Sequence, residues 1–364
     1  MRIAALETIP VGLPFARTYV TASGRLDSRE MLIVRLAADD GAIGWGDAVP
    51  MSLRGGPGLD AVRADIEDRC AAALIGLDDE ADRDRFIAAA LDRCRLAGAG
   101  RQALSAVDVA LVDLIGKHEG EPAWRVLGAA AGGPVACNAT IGADSPDQAA
   151  AAAAAAVRGG FGTVKVKAGD ERDVERIRAV RGAACAGMRL RIDANGAWTA
   201  AEAVRRLGEL EPLDLELAEQ PCPTAPELAE VRSATGVPIV ADESVNDLEE
   251  ARAAQAIGAF DAATLKLAKV GGPHAAIASA AAVPAYLSSA LDSALGIAAA
   301  AHTARAMPQH RFASGLAHGL ATSPLFADNV ADDGMLTGPE IVAGDLPGLG
   351  VTVDEGAIER LRLR

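Results

Sequence analysis

Six charged residues, set one strand-plus-helix apart, constrain this chain more than any other feature. Lys165 and Lys167 stand in Thr163-Val-Lys-Val-Lys, Asp193 in Arg191-Ile-Asp-Ala-Asn-Gly and Glu219 in Ala218-Glu-Gln-Pro. Asp242 follows in Val240-Ala-Asp-Glu-Ser and Lys266 in Thr264-Leu-Lys-Leu-Ala-Lys. From Lys167 onward the steps are 26, 26, 23 and 24 residues. Each residue closes a short apolar run, such as Met188-Arg-Leu-Arg-Ile or Val237-Pro-Ile-Val-Ala, and is expected at the C-terminal end of its own strand. In a closed parallel βα barrel all such ends face one mouth, where active sites lie. One such charge is commonplace in a solvated loop, but a series on five consecutive strands is not. Three carboxylates meeting at that mouth repel one another unless a divalent cation sits between them, and their hard oxygens suit Mg²⁺. Lysines beside that cation are candidate bases, because nearby positive charge and burial lower a lysine pKa.

The ordered set resembles the enolase superfamily, in its muconate-lactonising subgroup, and the resemblance covers essentially the whole chain. It implies a (β/α)7β modified TIM barrel with an α+β capping domain. The cap is expected over residues 1–125, completed by about 332–364, and the barrel over 126–331. The resemblance also implies that Asp193, Glu219 and Asp242 bind Mg²⁺, with Mn²⁺ as the alternative. The metal would hold a substrate carboxylate and stabilise the enediolate formed when the α-proton leaves. Lys167 would be the base on one face, with Lys266 on the other. Lys165, two residues before Lys167, points the same way along a strand. It is expected to contact the carboxylate and to depress the pKa of Lys167. Asn195 and Glu243 are candidates for orienting the ligands and the lysine.

At 364 residues the chain suffices for one large barrel plus a smaller domain. Half of it is hydrophobic but only 3% aromatic, so the core must rely on close helix–strand packing rather than large rings. A formal net charge of −15 argues against nucleic acid or an anionic membrane as partner. Cys70, Cys94, Cys137, Cys185 and Cys222 are odd in number and lack metal-type spacing, which fits a reduced, cytoplasmic setting. Met1-Arg-Ile-Ala-Ala-Leu-Glu leads straight into a strand pattern without a charged-then-apolar leader. No stretch reads as a membrane span; the nearest, 275–290, is broken by Pro284. The expected partner is a small-molecule carboxylate, and a homo-oligomer is expected.

In chain order, Ile3 to Pro10, Met31 to Ala37 and Ala42 to Asp47 read as a β-meander. A flexible loop is expected from Phe15 to Arg25, and a second, Gly-rich one from Pro50 to Gly58. Such loops can close over a mouth. Phe15, Tyr19, Arg25, Met51 and Arg54 are therefore candidate substrate contacts, with Arg25 or Arg54 pairing a second substrate carboxylate. Apolar residues recurring every third or fourth position predict helices over 59–75 and 102–115. The barrel is expected to begin at Val135-Ala-Cys-Asn-Ala-Thr-Ile, with Ser145 capping the first barrel helix and Pro146 in its first turn. Strands and helices then alternate, with the seventh strand at Pro284–Ser289 and the eighth at Arg311–Ser314.

Branches of the superfamily differ at the last two strands. The mandelate-racemase branch places a histidine at the end of strand seven, where this chain has Leu287-Ser-Ser-Ala. Dipeptide epimerases carry Asp-x-Asp after strand eight to hold an ammonium, and Phe312-Ala-Ser-Gly-Leu-Ala-His contains no acid. Ser288-Ser-Ala-Leu-Asp-Ser-Ala-Leu-Gly-Ile and Ala313-Ser-Gly-Leu-Ala resemble segments of o-succinylbenzoate synthases, which adds Ser289 and Gly315 to the substrate-binding candidates. Lys266-Leu-Ala-Lys-Val-Gly-Gly-Pro is closer to muconate cycloisomerases. The expectation is thus a lyase that dehydrates a cyclohexadiene carboxylate. Muconate cycloisomerisation and N-acylamino acid racemisation are the enzyme alternatives. A barrel that binds a carboxylate without turnover is the non-enzymatic one.

Overall fold

Strand β1 (Ile3–Thr21), β2 (Gly24–Ala38) and β3 (Ile43–Ala48) form an antiparallel sheet in that order. The computed structural model describes residues 1–21, 24–52, 55–78, 82–142 and 145–363. Of the loop expected from Phe15 to Arg25, the described residues 15–21 and 24–25 are instead strand. After a register shift between Pro14 and Tyr19, Tyr19 pairs with Leu26 and Val20 with Arg25. An aromatic residue such as Tyr19 suits a pleated ladder better than an open loop.

Helical residues Leu59–Leu74 and the helices Arg83–Leu96 and Arg101–Glu119 follow, the first wound as a π-helix over Asp65–Cys70. The long helix 101–119 is buried along most of its length and carries β3 on its side. Near the C-terminus the chain returns to this layer. Helix Glu355–Leu361 packs on β1, and the Leu363 amide donates to the Pro10 carbonyl at 2.9 Å.

The run expected to open the barrel is split in two. Strand β4 (Gly133–Ala136) pairs antiparallel with β12 (Glu340–Ala343), a partner too distant in sequence for local patterning to reveal. The parallel barrel starts only at β5 (Ala139–Ile141). It continues through β6 (Thr163–Lys167), β7 (Arg189–Asp193), β8 (Leu215–Glu219) and β9 (Ile239–Ala241) to β10 (Ala262–Leu265) and β11 (Ala285–Leu287), each paired with the next. Four of the helices between them start at a capping side chain. Ser145 with Gln148 and Thr224 with Glu227 make reciprocal capping boxes, and Thr199 and Asp247 accept from the first turns of their helices.

The eighth strand position is not Arg311–Ser314, which lies in a turn, but His318–Gly319. His318 bridges Cys137 ahead of β5, and Gly319 bridges Ser288 after β11, so these two residues close the barrel. Their amides donate to the carbonyls of Ala136 at 2.7 Å and Leu287 at 2.8 Å. The His318 ring accepts from the Leu287 amide at 3.0 Å, and burial pushes its pKa down to about 4, which keeps it a neutral acceptor.

Three contacts seat the antiparallel layer over the barrel mouth. Asp47 of β3 accepts from the Ser293 amide at 2.8 Å and hydroxyl at 2.6 Å, just beyond β11. Arg29 of β2 donates to the carbonyls of Pro50 at 2.7 Å and Ala290 at 3.4 Å. Phe15 stacks on Phe326, past the eighth strand, with ring centroids 5.1 Å apart. No helix among the described residues is long and apolar enough to cross a membrane.

Candidate active site

Parallel register brings the charge series together. Lys167 and Asp193 are partners across β6 and β7, and Asp193 and Glu219 across β7 and β8. Asp242 directly follows β9 and Lys266 directly follows β10. All are buried except Lys167, which is half-buried. Strands β6 and β10 occupy the second and sixth of the eight barrel positions, so Lys167 and Lys266 start from opposite walls with the three carboxylates between them.

Each carboxylate is engaged by ammonium. Lys165 Nζ lies 3.1 Å from both oxygens of Glu219 and 3.3 Å from Asp193 Oδ2. Lys167 Nζ donates to Asp193 Oδ2 at 2.6 Å and Asn195 Oδ1 at 2.8 Å. Lys266 pairs with Asp242 Oδ2. Burial alone would lower the Lys165 pKa, but the charges of Glu219 and Asp193 reverse this and hold it raised. Burial opposes ionisation of Asp193, yet Lys167 and Lys165 keep it well below the usual carboxylate range. Asn195, at φ +48°, links Lys167 to Glu243 by donating to Glu243 Oε1 at 3.0 Å. Its left-handed backbone also turns its amide onto Asp193 Oδ1 at 3.1 Å.

Sequence reasoning left out three contributors. Lys269 Nζ is buried against Asp242 Oδ1 at 2.8 Å, the Asp242 carbonyl at 2.6 Å and the Thr264 carbonyl at 3.0 Å. Its signal was its place one helical turn after Lys266. Gln220, at φ +38°, accepts from the Asp242 amide at 2.7 Å and fixes the backbone of that acid. Tyr286, one of only two tyrosines, lies inward on β11 and donates to Glu219 Oε2 at 2.7 Å. Burial and the Glu219 charge raise its pKa, so it remains a protonated donor.

The substrate candidates divide. Phe15 and Tyr19 stack at 5.1 Å beside Phe326, and Ser289 donates its hydroxyl to Asp292 at 2.7 Å in the loop leaving β11. Met51 follows Pro50 next to that loop. Arg25 is exposed in the β1–β2 ladder. Arg54 lies outside the described residues. Gly315 is displaced to the far end of the barrel, where its carbonyl accepts from Arg189 at the start of β7 at 2.7 Å. Gly-Leu-Ala occurs twice, at 315–317 and 319–321, and the second copy enters the strand.

Asp193, Glu219 and Asp242 offer a buried set of hard oxygens, and every one of these carboxylates already holds a positive group. That chemistry fits a small divalent cation. Among the described residues no three acidic, His or Cys side chains close into a ready coordination cluster, and the lysines stand among the acids.

Residues 148–357 match the family model for the enolase C-terminal domain-like fold. Residues 5–128 match that for the mandelate racemase / muconate lactonizing enzyme N-terminal domain. The chain is 32% identical to the L-Ala-D/L-Glu epimerase of Bacillus subtilis over 84% of this chain and 85% of that one. It is 38% identical to the o-succinylbenzoate synthase of Thermobifida fusca over 63% and 71%. A crystal structure of the Enterococcus faecalis dipeptide epimerase, complexed with Mg and the dipeptide L-Leu-L-Tyr, superposes with a TM-score of 0.88 at 28% identity, covering 97% of this chain and 100% of that one. With matched domains at both ends and the charge series at the strand ends, the chain belongs to the enolase superfamily, in its muconate-lactonising subgroup, and is an enzyme.

Proposed function

We propose that this enzyme abstracts a proton α to a carboxylate with the aid of Mg²⁺, and that its reaction is the syn-dehydration of a cyclohexadiene carboxylate, as in o-succinylbenzoate synthases. The observation that carries the proton-abstraction reading is the pair of lysines on opposite barrel walls, Lys167 and Lys266, with three buried carboxylates between them. Asp193, Glu219 and Asp242 would hold the metal. When bound, Mg²⁺ supplies Lewis-acid charge at the substrate carboxylate, worth several kcal/mol to a developing carbanion. With Asp193 serving as a metal ligand, Lys167 would be released from that carboxylate and kept in place by Asn195. Lys167 takes the α-proton and returns it to the departing hydroxyl on the same face, so the proton and hydroxyl leave as water and the ring becomes aromatic. Lys266, on the opposite face, steadies the negative charge as a fixed cation.

The eighth strand supports dehydration over dipeptide epimerisation. Even with that strand at His318–Gly319, the residues after it are Leu320, Ala321, Thr322 and Ser323, and no acid follows until Asp328. An epimerase of free dipeptides needs a carboxylate there for the substrate ammonium. The epimerase reading is favoured by the coverage of its relatives and remains the second choice. Both are tested on one panel with Mg²⁺: loss of diene absorbance for the cyclohexadiene acid, and solvent deuterium uptake at the α-carbon for dipeptides and N-acylamino acids. Dehydration with residual turnover in Lys266→Arg and essentially none in Lys167→Arg supports the first reading. Each lysine variant losing exchange with one enantiomer only, without dehydration by the wild type, overturns it.

A further inference from the structure

Beneath the three acids the barrel interior holds a polar column that the proton-transfer chemistry does not use. Tyr286 rises from β11 with its ring buried among Leu217, Val240, Ala262 and Leu316, and its hydroxyl donates to Glu219 Oε2 at 2.7 Å. The Arg191 guanidinium lies over the Tyr286 ring, 5.0 Å from its centroid. Arg191 is itself fixed by Glu216 and by the Ala317 carbonyl at 2.6 Å. Tyr286 is thus clamped on its apolar and cationic sides, and its hydroxyl has a fully buried carboxylate to meet.

We propose that Tyr286 is a positioning residue for the divalent cation. Its hydroxyl pins Oε2 of Glu219, so that the carboxylate keeps one rotamer and offers Oε1 upward to the metal. This rests on the reading of Glu219 as a metal ligand. Glu219 has one rotatable side-chain bond more than Asp193 or Asp242, and Lys165 touches both of its oxygens equally and so cannot choose between them. A hydroxyl on one oxygen can. Groups that orient a ligand in this way are worth about 10- to 100-fold in metal affinity.

The test is Tyr286→Phe, which keeps the ring, the guanidinium stacking and the packing and deletes only the hydroxyl. Mn²⁺ binding is measured directly on the metal-free protein by electron paramagnetic resonance and Mg²⁺ binding by competition, with Asp193→Asn as the control. The expected result is a rise of about tenfold or more in both dissociation constants. Turnover should recover at saturating Mg²⁺, and the melting temperature of the metal-free protein should stay near that of wild type. Wild-type affinity in Tyr286→Phe, with binding lost in Asp193→Asn, overturns the role of Tyr286 alone. Unchanged affinity in both variants overturns the metal-site reading itself. A fall in melting temperature with unchanged affinity assigns the hydroxyl to stability and likewise overturns the proposal.

Discussion

Two buried ammonium groups, those of Lys266 and Lys269, meet Asp242. Lys269 Nζ also satisfies two backbone carbonyls, those of Asp242 and Thr264, so it braces the exit of β9 against β10. Removing one partner of such a buried set strands the others and costs about 3–5 kcal/mol. Lys269→Met is therefore expected to lower the melting temperature markedly. Lys266→Met deletes a cation that the proposed chemistry requires, and should cost most of the turnover even where the variant stays folded. Calorimetry and turnover measured on both variants decide this; near wild-type turnover in folded Lys266→Met would refute the role of Lys266, and an unchanged melting temperature in Lys269→Met that of Lys269. At this scale the acids and Lys167 could be read from the sequence because each ends a strand. Lys269 offered only its place one helical turn after Lys266, and Gln220 and Tyr286 offered no spacing at all, since their function lies in partners from other strands.

The elements show where local pattern suffices and where it fails. Strand and helix alternate from β6 to β10, and three of the four long helices there start at a capping side chain, as at Thr224 with Glu227, while the helix 173–183 has none. The eighth strand has only two bridged residues and no alternation, and a repeated Gly-Leu-Ala offers two registers, which only closure against Cys137 and Ser288 resolves. The β1–β2 hairpin is longer than its turn residues suggest, because pairing continues past an irregularity that breaks the period of two. Strand β3 depends on a feature that periodicity does not report, its close approach to helix 101–119. A Cβ on Gly44 would stand 2.1 Å from the Ala110 carbonyl oxygen, and one on Gly46 2.4 Å from that of Ala106. Gly44→Ala should destabilise the protein by about 3 kcal/mol by forcing strand and helix apart. Gly162→Ala, with open space around its Cβ, should change stability little. Urea unfolding of the two variants checks the contrast, and equal midpoints would refute it.

Across the whole molecule, the antiparallel layer and the barrel are joined by buried polar groups as well as by the apolar core. Asp47 of β3 reaches the helix that follows β11, accepting from Ser293, while Asp292 beside it accepts from the Ser289 hydroxyl and from the Ala290 amide at 2.8 Å. The fit is close: a Cβ on Gly296 would lie 2.7 Å from Asp47 Oδ1 and from Asp292 Cβ. Two carboxylates enclosed there cannot both ionise easily. Burial, followed by the Asp292 charge, pushes the Asp47 carboxyl up to about 7, against the donors on Ser293 and Gly296. An unfolded Asp47 titrates near its ordinary value of about 3.9, so between those values the folded protein binds the extra proton. The stability that Asp47 contributes is thus fully present below about pH 4 and is lost as pH rises through 7. Asp47→Asn places a permanently neutral group of the same shape at the junction, and its contribution has no such slope. The stability of wild type relative to Asp47→Asn should fall by on the order of 3 kcal/mol between pH 4 and pH 8, with most of the change below pH 7. Urea unfolding of both proteins across that range measures the difference directly and cancels the titrating groups outside the Asp47–Asp292 pair. A difference that stays flat with pH would mean that Asp47 is ionised in the folded state, and that the junction carries its charge through the donors of Ser293 rather than through a proton.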